Sequence, residues 1–126
     1  MPHTIIHNSE ADVIEIKIQG DLTLSVVKEI VSEAIHVAKE QNCFLILNDM
    51  SEATIKLSTF EIYDVPKIMS DMVASSGLNM YKLKRAFVAA KDLKDYKFFE
   101  TVTVNRAQRA KFFFDIDEAR KWLSGK

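Results

Sequence analysis

The chain is short of three residue types, and each shortage excludes something. Cys43 is the only cysteine, so no intramolecular disulfide forms and the fold needs no oxidising compartment. Three glycines and two prolines in 126 residues leave little that reads as linker. Gly20, Gly77 and Gly125 stand too far apart to build a phosphate-cradling loop or a nucleophile elbow. No apolar run approaches the roughly 18 residues of a membrane-spanning helix. An excess of positive charge is also missing, since 17 basic against 18 acidic residues give a formal charge of −1. That balance argues against a nucleic-acid partner, whose phosphates must be neutralised for binding. Met1 to His7 lacks the basic region and apolar run of a secretory leader, and a cytoplasmic protein is expected.

What is present is an ordinary globular mixture, 48% apolar and 28% charged, long enough for one hydrophobic core. Residues 1–126 are expected to form a single domain. Thr4 to His7 reads as a short strand, and Asn8, Ser9 and Glu10 as a turn. Ile14, Ile16 and Ile18 then alternate with polar residues, the period of a strand with one face on the core. Gly20 and Asp21 end it. Thr23 or Ser25 caps a helix whose Val26, Val27, Ile30, Val31, Ala34, Ile35 and Ala38 recur at three- and four-residue spacing.

Phe44 to Leu47, ending in Asn48-Asp49, is an unbroken apolar run, as expected of a strand covered on both faces. Ser58 caps a second helix and Glu61, three residues on, completes a capping box. Ile62, Val65, Met69 and Met72 form its inward face, and Pro66 is expected to kink or restart it. Ala86 to Ala90 is a further strand, Tyr96 to Ala107 a third helix, and Phe112 to Phe114 the last strand. Asp115 caps a closing helix with Ala119, Trp122 and Leu123 inward. The order β-β-α-β-α-β-α-β-α specifies an α/β sandwich with a mostly parallel, mixed sheet between helices.

That order resembles the STAS-like superfamily. So do Leu45 to Met50, Arg85 to Ala89 and especially Phe112 to Leu123. The nearest likeness is to its uncharacterised bacterial branch, related in fold to anti-sigma-factor antagonists and more distantly to the CRAL-TRIO lipid-binding domain. The resemblance places Asp49 at the strand-end aspartate of the antagonists and Ser58 at their phosphorylated serine. Leu57 then replaces the usual acidic residue before that serine, and Phe60 the usual glycine. Two roles stay open for Ser58: helix cap and phosphate acceptor. A phosphate there would meet the favourable end of the helix dipole but would displace the capping bond and face Glu61.

Spacing supplies no catalytic residue, metal site or cofactor. His3, His7 and His36 read as surface histidines. Asp49 and Glu52, with Asp92, Asp95 and Glu100, read as caps and loop acids rather than an acid/base pair. The basic groups Lys82, Lys84, Arg85, Lys91 and Lys94, and Arg106, Arg109 and Lys111, read as solvated faces. Met50, Met69, Met72 and Met80, with Phe60 and Tyr63 and rimmed by Tyr81, Tyr96 and Phe98, form either core packing or a shallow apolar groove. The expected function is a noncatalytic regulatory or interaction domain. It would recognise a protein or its own copy through Asp49, Met50, Phe60, Tyr63, Met69 and Met72. The alternative is a carrier of a lipid or small apolar ligand.

Overall fold

The computed structural model describes residues 3–79, 82–89 and 109–125. Five strands, β1 (His3–Asn8), β2 (Val13–Leu22), β3 (Leu45–Ile55), β4 (Lys84–Val88) and β5 (Arg109–Phe113), form one sheet in the order β1-β2-β3-β4-β5. The β1–β2 pair is antiparallel and the other pairs are parallel. Three helices accompany them: α1 (Leu24–Gln41), α2 (Thr59–Ser76) and α3 (Ile116–Ser124). The mixed, mostly parallel α/β sandwich expected from the element order is the fold observed. The helix expected over Tyr96 to Ala107 lies outside the described residues, as do Met80, Tyr81, Lys91, Asp92, Lys94 and Asp95.

Alternation along the strands decides which layer each side chain joins. Ile14, Ile16, Ile18, Ile46, Met50 and Phe87 pack under α1 and α2 with Ile30, Val31, Val65 and Val73. Val13, Leu47, Ala86 and Val88 pack on the opposite face with Ala119 and Leu123 of α3. Phe87 stacks on Phe112 at 4.9 Å between ring centroids. On the α3 side, Phe113 meets Trp122 at 5.8 Å.

Two strands run further than the sequence reading allows. Gly20-Asp21 is a turn signal, yet β2 continues to Leu22. Asn48-Asp49 likewise looks like a strand end, yet β3 continues to Ile55. Tertiary pairing overrides the local signal. After a register shift between Lys17 and Gln19, residues 19–22 pair with 52–55, and Gly20 meets the change of twist with φ 79°. β4 ends opposite Asp49, so the β2–β3 ribbon outlasts the rest of the described sheet. Pro66 neither stops nor restarts α2, which runs unbroken through it. The ring is part of the buried face, beside Ile62, Val65 and Val73.

A second tie joins the two ends of the fold. Arg120 of α3 donates two hydrogen bonds to Glu15 of β2, at 2.8 and 3.1 Å, and Asn8 donates a third at 3.0 Å. The bidentate Arg120 contact is the chief cause that holds the Glu15 carboxyl below its ordinary value of 4.5. A carboxylate with a lowered folded pKa stabilises the fold above its unfolded pKa and loses that contribution as pH falls through the folded value. Arg120→Leu should therefore lower stability at about pH 7 and narrow its difference from the natural protein toward about pH 3. Urea unfolding across that range checks it; a constant difference would contradict the assignment.

Candidate functional site

The site begins where β3 runs past the end of β4. Asp49 accepts hydrogen bonds from the Ser51 backbone N–H at 3.1 Å and hydroxyl at 2.7 Å. It sits within β3, not at the strand end that the sequence reading assigns it. Glu52 accepts from Gln19 at 2.9 Å and pairs with Lys17 at 3.2 Å. Those contacts, Gln19 first, hold its carboxyl below the ordinary range. That is the direction of a settled carboxylate and the opposite of a general acid. Leu22 and Ile55 close the ribbon, with the Lys56 N–H donating to the Leu22 carbonyl.

Ser58 then caps α2. Its hydroxyl accepts from the Glu61 N–H at 3.1 Å while the Glu61 carboxylate accepts from the Ser58 N–H at 2.8 Å, a complete capping box. The hydroxyl belongs to an exposed residue, so capping and access to solvent coexist. Leu57 turns inward and Phe60 outward, and this reversal fixes the character of the surface. Phe60 is 84% exposed and Tyr63, one turn on, 51% exposed. Residues three apart share a helix face, so the two rings present apolar area on the first turns of a well-anchored helix.

Behind that helix lies a partly open apolar cavity of about 90 Å³, whose lining includes Met50, Leu57, Met69, Phe87 and Phe112. The grouping of methionines with Phe60 and Tyr63 does not hold as one surface. Met50 and Met69 belong to the interior, whereas Phe60 and Tyr63 face solvent. Met72, half-buried, lies with Ser32, Ile35 and Ser75 in an open groove between α1 and α2. Met80, Tyr81, Tyr96 and Phe98 lie outside the described residues.

Three polar features escape the sequence reading. Arg85 is not on a solvated face: it is 2% exposed, its Nη1 3.1 Å from the Met69 sulfur and its guanidinium over Phe87. Burial pushes its pKa down to about 10, so the charge persists at neutral pH. Period-two alternation on β4 was the available signal, since Arg85 and Phe87 share a face. His3 is buried and donates to Glu33 of α1 at 3.0 Å, so it is not a surface histidine. His36 is exposed beside Glu40.

The third feature joins His7, Asp12 and Cys43, whose ligand atoms all lie within 4.8 Å of one another. His7 Nε2–H donates to Asp12 Oδ1 at 2.9 Å, and the Cys43 thiol donates to the Asp12 carbonyl at 3.2 Å. No local spacing announces this cluster. It follows from the β2–β3 register, in which Ile14 stands opposite Ile46 and so brings the start of β3 beside the β1–β2 turn. Desolvation pushes the Cys43 thiol up, away from the thiolate that a nucleophile requires.

No family model matches the chain, and no curated protein matches it in sequence. Solved structures do match. An uncharacterized DUF3478-family protein with a SpoIIAA-like fold from Shewanella loihica PV-4 aligns at TM-score 0.57 and 19% identity, over 96% of this chain and 91% of that one. The anti-sigma factor antagonist SpoIIAA in its unphosphorylated form aligns at TM-score 0.59 and 10% identity, over 98% and 99%. The Bacillus cell fate determinant SpoIIAA in its phosphorylated form aligns at 0.52 and 11%, over 95% and 98%. The fold is therefore SpoIIAA-like. Among the described residues no helix is long and apolar enough to cross a membrane.

Removing the capping hydroxyl tests the local account of α2. Ser58→Ala should cost about 1 kcal/mol, within a range of roughly 0.5–2, and Ser58→Asp should retain most of the stability because aspartate also caps. Equal urea midpoints for Ser58→Ala and the natural protein would show that the box contributes nothing.

Proposed function

We propose that this chain is a noncatalytic regulatory domain that binds a protein, through the end of β3 and the first turns of α2. The observation that carries the reading is the exposure of Phe60 on a helix whose cap and inward face are otherwise fully used. Burying a phenylalanine side chain is worth about 1.5–3 kcal/mol, so a partner covering Phe60 and Tyr63 gains a central apolar anchor of the kind that dominates interfaces. Met50 and Met69 support α2 from beneath, whereas Asp49 and Glu52 belong to the face of the sheet that carries Lys17 and Arg120, and they contribute to the proposed surface only at its β3 edge. The near-neutral charge favours a protein partner, or a second copy, over nucleic acid, and a cytoplasmic setting accords with the single reduced cysteine.

Ser58 adds a means of regulation to this reading. The SpoIIAA comparison structures include phosphorylated and unphosphorylated forms, and Ser58 stands two residues before Phe60 with an accessible hydroxyl. A phosphate would replace the bond to the Glu61 N–H and set negative charge against the Glu61 carboxylate, altering the surface at its edge. Incubation with soluble kinases of the source organism, followed by intact mass and peptide mapping, should place phosphate on Ser58. Phosphate found only at other residues would remove Ser58 from the proposal.

The carrier alternative needs room. Pockets for small ligands run to about 300–1,000 Å³ and bury most of the ligand; among the described residues the cavity beneath α2 holds about 90 Å³, and the groove at Met72 holds about 430 Å³ but lies open to solvent. Affinity capture with the natural protein, Phe60→Ser/Tyr63→Ser and the control Ile6→Ser separates the readings. A protein retained by the first and third but reduced at least about tenfold by the double variant, as loss of a central anchor predicts, supports the interaction surface. Equal retention by all three, or a saturable rise in melting temperature with fatty acids, would overturn it.

A further inference from the structure

We propose that His7, Asp12 and Cys43 form a binding site for a zinc-class divalent ion, with three protein ligands and one water. The ligands come from three separate segments: the end of β1, the β1–β2 turn, and the residue that follows the cap of α1. An imidazole nitrogen, a carboxylate and a sulfur are the donor set zinc accepts, and three protein ligands with an open fourth position is an established coordination for it. The sulfur argues against magnesium and calcium, which take oxygen ligands.

Geometry favours closure around an ion. Zinc bonds of about 2.0–2.3 Å require ligand atoms closer than the 4.8 Å limit of this cluster. The His7 and Asp12 ligand atoms, 2.9 Å apart, already stand at that range, so the adjustment falls on their approach to the Cys43 sulfur. Asp12 is held at φ 53° by a turn in which the Asn8 side chain accepts from the Glu10 and Ala11 N–H groups, at 3.1 and 3.2 Å. Cys43, 1% exposed, forms the floor; the mostly buried His7 side chain forms a wall, and the exposed Asp12 stands at the solvent side, where an ion enters.

Binding exchanges one bond for another. The Sγ–H bond breaks as the sulfur–metal bond forms and its proton leaves to solvent; the His7 ring proton passes through solvent from Nε2 to Nδ1, giving up the hydrogen bond to Asp12 and freeing the Nε2 lone pair for the metal, and no electron changes hands. With one thiolate, one carboxylate and a neutral imidazole, a divalent ion leaves the site without net charge, which suits its partial burial. The product is a clip from the β1–β2 turn to the α1–β3 junction. It lies at the starts of β2 and β3, the opposite end of the sheet from Ser58 and Phe60, so its loss should leave that surface intact.

Cobalt(II), a zinc surrogate whose thiolate complexes absorb in the near ultraviolet, is the probe, used on the full chain with a reduced thiol. One equivalent should bind with a sulfur-to-cobalt charge-transfer band that added zinc abolishes. His7→Gln and Asp12→Asn should each weaken binding by more than about tenfold. Cys43→Ser should abolish the band, and His36→Gln, on exposed α1 surface, should change nothing. Circular dichroism establishes that each variant is folded. Should Cys43→Ser fail to fold, the His7 and Asp12 variants decide the matter. Absence of the band in the natural protein, or binding unaffected by both His7→Gln and Asp12→Asn, would overturn the proposal.

Discussion

β3 is covered on both faces and paired on both edges over its first half, and most of the molecule is arranged around that fact. Ile46 and Met50 point into the α1/α2 layer and Leu47 into the α3 layer, while β2 and β4 take up its backbone groups. A strand in this position leaves no backbone polar group to water, so its hydrogen bonds must come from neighbouring strands. Asn48 obeys the same demand: its side chain is buried and donates to the Ala86 carbonyl at 3.4 Å. Both layers are thereby referenced to one rigid element.

From that element the chain passes to the surface in a controlled way. The β2–β3 ribbon carries it past the end of β4, Leu57 anchors it, and the Ser58–Glu61 box starts α2 in a defined direction. Phe60 is thus exposed by construction and not by looseness. An apolar ring on a rigid support loses little conformational freedom when a partner covers it, which is why such residues serve as anchors. The cavity behind α2 is small and apolar, consistent with packing imperfections around Met50 and Met69, whose flexible side chains fill irregular space.

Much of this was legible in the sequence wherever local pattern and tertiary role agree. Ile14, Ile16 and Ile18 show the core face of β2, the α1 stripe is buried along its centre with Val26 and Ile35 partly buried at its margin, and the Ser58–Glu61 box forms as written. Disagreement arises where a distant segment decides. Gly20 and Asp49 carry turn chemistry, but each strand gains more by pairing with the other than by ending. Arg85 carries a charge that composition assigns to water, yet its place on β4 turns it beneath α2. His7, Asp12 and Cys43 are separated by 5 and 31 residues, and only the parallel register joins them. Phe60 was recognisable as a departure from the family pattern, but its outward direction depends on where the helix begins.

The sheet order has a further consequence for how the molecule comes into being. Strands stand side by side in the order in which they occur in the chain, so each one leaving the ribosome finds an existing edge to join, without waiting for a later strand to be inserted between earlier ones. The α1/α2 layer can assemble early in synthesis. The opposite layer waits for α3, which follows β5 in the chain and whose Arg120 reaches back 105 residues to Glu15. Until then Val13, Leu47, Ala86 and Val88 lack the cover of α3, and the nascent chain carries apolar surface that this late helix shields.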